Sequence, residues 1–143
     1  MYKKSLYSYK FKKSALRYEV GICIKTGKIC WWNGPFLPGD VNDNMIFQEG
    51  LAHELGPGER VETDKGYRDS APFLTRVPGG MEEPERRGMT ARVRMRHETC
   101  NKRLKHWNIL ASPYRHNIVR HQVYFGAIAC LTNLALECGE PLF

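Results

Sequence analysis

The first seventeen residues carry six lysines and arginines and no acid, and residues 92 to 120 set eight lysines and arginines against Glu98 alone. That shortage of acid excludes a charge-balanced helix, which would scatter carboxylates among its bases at i, i+4 spacing. The five cysteines, Cys23, Cys30, Cys100, Cys130 and Cys138, are odd in number and contain no C-x-x-C pair. A disulfide scaffold and a cysteine zinc site are thereby excluded, and the thiols read as reduced, in an intracellular compartment. No long hydrophobic run is present either: the most apolar stretch, Val123 to Leu136, is broken by Gly126, Thr132 and Asn133. No membrane partner is expected. Neither G-x-x-x-x-G-K-[ST] nor G-x-G-x-x-G occurs, so a nucleotide-binding loop is not supported.

What is present is enough for one domain with a core: 143 residues, 42% apolar and 26% charged, are the proportions of a folded protein. The formal net charge of +7 is concentrated in the two basic segments, and the rest of the chain is net acidic. Concentrated positive charge favours a polyanionic partner, with DNA the first candidate; the alternative is a solvated surface that aids solubility.

Residues 1–15 mix lysines with Tyr2, Tyr7, Tyr9 and Phe11 and read as a basic arm or irregular loop. Residues 16–64 read as a hairpin, a helix and a strand. Tyr18, Val20, Ile22 and Ile24 alternate along one strand face, Thr26-Gly27 turns the chain, and Ile29 to Asn33 returns. Asp40, Asn42 or Asp43 caps a helix carrying Ile46, Phe47, Leu51 and Leu55, and Arg60 to Asp64 forms a short strand. Pro78 to Gly88 reads as a loop. Residues 89–138 read as two helices, Met89 to Leu110 and Tyr114 to Cys138. On the first, Val93, Cys100, Leu104 and Trp107 form the apolar side, opposite Arg94, Glu98, Asn101, Lys102 and Lys105.

Two acids stand out. Asp64 ends a strand and Glu98 interrupts the most basic helix, so they can converge at the carboxyl edge of a sheet. Two carboxylates there suit Mg²⁺ or Mn²⁺, hard ions that prefer oxygen ligands and, in pairs about 4 Å apart, drive phosphodiester chemistry. The competing reading has Asp64 capping a turn and Glu98 pairing with Arg94 and Lys102. His97, His106, His116 and His121 are spaced nine, ten and five apart, unlike helical zinc ligands, and read as surface or phosphate-facing groups. Cys100 falls on the apolar stripe, where a thiol is buried and inert. Of Trp31 and Trp32, which point to opposite faces of a strand, at least one belongs to the core.

These segments, in order, resemble the DDE superfamily endonuclease domain of PIF/Harbinger-like transposases and related bacterial insertion-sequence transposases. The resemblance runs through Tyr7-Ser8-Tyr9-Lys10-Phe11-Lys12, Leu16 to Gly21, Asn33-Gly34-Pro35 with Pro38 to Asp43, Thr63-Asp64-Lys65-Gly66-Tyr67, Arg92 to Lys105 and Tyr114-Arg115-His116. It implies a mixed α/β, ribonuclease-H-like fold in which three acids bind two divalent ions and cut DNA. Asp64 matches the second acid, in an Asp-x-Gly-Tyr element. Glu98 matches the third, in an Arg-x-Arg-x-Glu-x-x-Asn helix. The first acid of such proteins lies on an opening strand upstream of the Tyr-Ser-x-Lys-Phe segment, and residues 1–15 contain no Asp or Glu.

The expectation is therefore a partial catalytic domain, lacking its first strand, with Asp64 and Glu98 as catalytic metal ligands and Arg94, Lys102 and Lys105 on DNA phosphates. Asp43 does not replace the missing acid; it caps or braces its helix. Such a chain is expected to be inactive alone and to self-associate through the gap in its sheet, in the nucleus of a eukaryote or the cytoplasm of a bacterium. The alternatives are a non-catalytic nucleic-acid-binding or interaction module of transposon origin, and a decayed element without a functional product.

Overall fold

The structure, a computed structural model, describes residues 6–8, 12–63, 67, 75–76 and 84–141. Its order is β1 (Tyr7–Ser8), β2 (Lys13–Ser14), β3 (Arg17–Ile22), β4 (Ile29–Phe36), α1 (Asp43–Glu49), a 3-10 turn (Leu51–His53), β5 (Val61–Glu62), β6 (Thr75–Arg76), α2 (Pro84–His106), α3 (Asn108–Ala111) and α4 (Ile118–Glu137). The architecture is mixed α and β, as expected. Among the described residues the strands form three separate pairs, β1 with β2, β3 with β4 and β5 with β6, rather than one continuous sheet. The first two pairs are antiparallel and the third is parallel.

The β3–β4 hairpin is the platform. Its alternating apolar residues put Val20 opposite Trp32 and Ile22 opposite Ile29, with irregularities that flank Gly21 and Gly34-Pro35. Gly34 sits at φ 137°, and a Cβ there would come within 2.8 Å of the Tyr18 ring, so a side chain is excluded twice over. α4 lies across this hairpin. Phe125 stacks on Tyr18 with centroids 3.9 Å apart and planes at 3°, and tilts against Trp32 at 5.6 Å. Ile29, Cys100, Leu104, Phe125, Ile128 and Ala129 make the buried cluster, with Tyr18, Val20, Ile22, Trp32, Ile109 and Leu110 packed around it. Trp32 thus takes the core position, while the Trp31 indole donates to Glu19 at 2.9 Å.

Polar ties also fix the helices to the hairpin. Asn133 of α4 accepts from the Ile29 amide at 2.8 Å and donates to its carbonyl at 2.9 Å. Arg17 of β3 pairs with Asp43 at 3.2 Å and donates to the Val41 carbonyl at 2.8 Å. Asn42 is the cap of α1, accepting from the Met45 amide, so Asp43 braces the helix against the strand instead of capping it. Phe47 of that helix is 1% exposed.

Several boundaries differ from the sequence reading, each for an identifiable reason. The basic arm contains a small ladder, Tyr7 opposite Ser14 and Ser8 opposite Lys13, with Ser8 buried. α2 begins at Pro84 inside the segment read as loop, because proline's missing amide and fixed φ suit the first helical turn. It stops at His106, where Trp107 turns extended (φ −78°, ψ 117°), and Trp107 is 42% exposed rather than part of the apolar stripe. α4 begins at Ile118, not Tyr114, because the Asn117 side chain accepts from the Val119 amide and sets the start.

Candidate nucleic-acid interface and metal-ligand residues

α2 carries the candidate site. Its buried side is formed by Thr90, Cys100 and Leu104. At 100° per residue, Arg94, Glu98, Lys102 and Lys105 fall within about 80° of arc, and all four are exposed. Glu98, Asn101, Lys102, Lys105 and His106 line an open depression of about 550 Å³. Among the described residues Glu98 closes no ion pair: the three salt bridges are Arg17–Asp43, Lys28–Glu137 and Arg103–Glu140. The expected alternative, a Glu98 neutralised by Arg94 and Lys102 at i±4, is therefore not what forms.

The helix is held in place around this face. Thr90 donates to Glu62 Oε1 at 3.1 Å, tying α2 to the end of β5. At the other end Arg103 pairs with Glu140 at 3.2 Å and donates to the Pro141 carbonyl, clamping α2 to the chain beyond α4. His97 is hydrogen-bonded to Asn101 at 3.3 Å, one turn along the same helix.

Asp64 lies outside the described residues, two positions beyond Glu62 at the end of β5, so it is placed only by its neighbour in sequence. The preceding residue, Thr63, has a buried hydroxyl with no hydrogen-bond partner. Among the described residues no three Asp, Glu, His or Cys side chains gather as a cation would need. The described residues taken alone therefore do not fit a divalent ion: Glu98 contributes one carboxylate, and its neighbours Lys102 and Lys105 compete with a cation for it.

The remaining titratable groups sort into structural roles. His121 is buried at 6% exposure, against the expectation of a surface histidine, because the Tyr18 hydroxyl bonds its Nδ1 at 2.7 Å and Tyr114 packs edge-on at 4.7 Å. Burial holds its pKa below the ordinary histidine value, outweighing a hydrogen bond to the Ile109 main chain. Cys100 is buried as expected, and burial pushes its thiol up to about 11, which makes it inert. Burial also raises Glu19, against the lowering effect of the Trp31 hydrogen bond. His106, which lines the depression beside Lys105, was not assigned to the site from sequence; its place on the arc beside Lys102 was the available signal.

The model of the DDE superfamily endonuclease family matches residues 1–133 of the chain. The chain belongs to that family. As a DDE superfamily endonuclease it comes from a lineage of nucleases that act on DNA and generally use a divalent metal, and its basic face on α2 falls inside the matched residues. No curated protein and no solved structure matches the chain. No helix among the described residues is long and apolar enough to cross a membrane.

Proposed function

We propose that this DDE superfamily endonuclease is a transposase-derived, metal-dependent DNA-cutting and strand-transfer domain of the PIF/Harbinger-like branch, acting where the cell keeps its DNA. The observation that carries the proposal is Glu98, an acid without an ion pair among the described residues, set in a depression otherwise lined by Asn101, Lys102, Lys105 and His106. Arg94, Lys102 and Lys105 hold backbone phosphates, and Asp64 with Glu98 are the metal ligands, for Mg²⁺ or Mn²⁺. When bound, such ions activate the attacking oxygen and stabilise the leaving one. A ribonuclease-H-like fold is the architecture this reading takes, supported by the order of an antiparallel hairpin, a helix and a parallel pair.

Within residues 1–143 this reading assigns two acids to the site, Asp64 and Glu98, because residues 1–15 contain neither Asp nor Glu. A two-ion site without its bridging carboxylate binds the second ion poorly and loses the alignment that in-line attack requires. Residues 1–143 should therefore bind Mn²⁺ or Mg²⁺ weakly, lose that binding on Asp64→Asn with Glu98→Gln, and leave DNA uncut. Nuclease assays on residues 1–143 and on a chain extended upstream provide the test. Robust cleavage by residues 1–143 that survives Asp64→Asn overturns the assignment. The second reading is a non-catalytic DNA-binding module of transposon origin. It is favoured by the cationic balance of the depression, and DNA binding that is indifferent to metal in both chains would select it.

A further inference from the structure

Between Arg120 and Glu137, α4 has no lysine, arginine, aspartate or glutamate at any of its intervening positions. A helix without charge around its whole circumference is ordinarily covered on all sides. Here one side is covered, with His121, Phe125, Ile128, Ala129 and Thr132 buried and the hairpin and α2 contributing to the same cluster. The opposite side is not. Val123 is 71% exposed and Leu134 50%, flanked by Val119 at 73%.

Six of the exposed residues of α4 follow a rule. Arg120, Val123, Ala127, Cys130, Leu134 and Glu137 are separated by three, four, three, four and three positions, and all six are exposed. Alternating three- and four-residue steps are the spacing of a helix-pairing seam. The seam's ends carry opposite charges, and its apolar residues lie between them. Set antiparallel against a copy of itself, it places Arg120 on the copy's Glu137, Val123 on its Leu134 and Ala127 on its Cys130. A parallel arrangement would instead oppose like charges at both ends. The small residues Ala127 and Cys130 fall at the crossing, where helix axes approach to about 8–10 Å. Glu137 already meets Lys28 at 2.5 Å, but its side chain remains 54% exposed and open to a second cation.

We propose that the outer face of α4 is a self-association surface, on which two copies of the chain dock two-fold with their α4 helices antiparallel. The contact is self-complementary, as a two-fold interface must be. It is separate from pairing at the edge of β3 that has no strand partner among the described residues.

Sedimentation of the full chain across a roughly hundredfold concentration range, from micromolar upward, tests the proposal. A monomer–dimer equilibrium is expected, abolished by Val123→Glu with Leu134→Glu at unchanged helix content. Arg120→Glu should weaken dimerisation by about tenfold, and adding Glu137→Arg to it should restore the affinity. A chain that stays monomeric throughout, or a dimer that survives the double glutamate variant, overturns the proposal. Should that variant lose helix content, a short bismaleimide on the unaltered dimer decides. The two Cys130 residues are offset by about 4.5 Å along the axes, so a Cys130–Cys130 link is expected, and a dimer linked only through other cysteines overturns the seam.

Discussion

The two long helices divide the molecule's chemistry between them. α2 has eight lysines and arginines in 23 residues, and among those whose burial is described only Thr90, Cys100 and Leu104 are buried. α4 has a single base and a single acid, at Arg120 and Glu137, and buries five residues. On the function proposed above, stability and recognition therefore draw on different helices. α4 holds the fold through apolar area and aromatic stacking, whereas α2 spends most of its circumference on charge that contributes little to folding and much to a polyanion's approach.

The largest expected effect lies on the α4 side. Phe125→Ala removes the ring stacked on Tyr18 and tilted on Trp32, and should destabilise the fold by about 3–5 kcal/mol, measured by denaturant unfolding. A loss below about 1 kcal/mol would mean that the stack adds nothing to the fold.

A smaller effect, also centred on α4, follows from His121. Its folded pKa lies below its unfolded value, so at mildly acidic pH the folded state binds fewer protons than the unfolded state does. Its contribution to stability is complete above the unfolded histidine pKa, near 6.5, and is lost as pH falls from there through the folded value. Unfolding midpoints should therefore drop between neutral and mildly acidic pH, and His121→Gln should flatten that slope. An equally steep slope in the variant would place the sensitive group elsewhere.

The smallest stability effect belongs to α2. Arg94→Gln, Lys102→Gln and Lys105→Gln together should change stability by less than about 0.5 kcal/mol per site. In the unaltered chain, if about five phosphates are engaged, log DNA affinity should fall against log salt with a slope of roughly −4 to −5. The triple variant should weaken binding and flatten that slope. Affinity and slope left unchanged by the triple variant would remove α2 from the DNA contact and blur the division between the helices.

What the sequence disclosed follows the same division. The β3–β4 hairpin, the burial of Cys100 and the shared arc of Glu98, Lys102 and Lys105 were legible, because alternation and helical periodicity are local signals. The start of α2 at Pro84 was hidden by a residue that serves equally as breaker and as first helical residue. His121 was misread because its burial depends on Tyr18, 103 positions earlier, a partner no local pattern can name. Asp64 remains an expectation resting on its place after β5.

Asn133 has a consequence for all of this. With one side-chain amide it returns both the hydrogen bonds that a neighbouring strand would give Ile29. It is a single-residue counterfeit of a β-neighbour, carried on a helix. Apolar contacts alone would let α4 roll about its axis at little cost, but this two-pronged amide works as a key in a slot and fixes the helix's azimuth. Which residues of α4 look outward is thereby decided at one asparagine on the inward side.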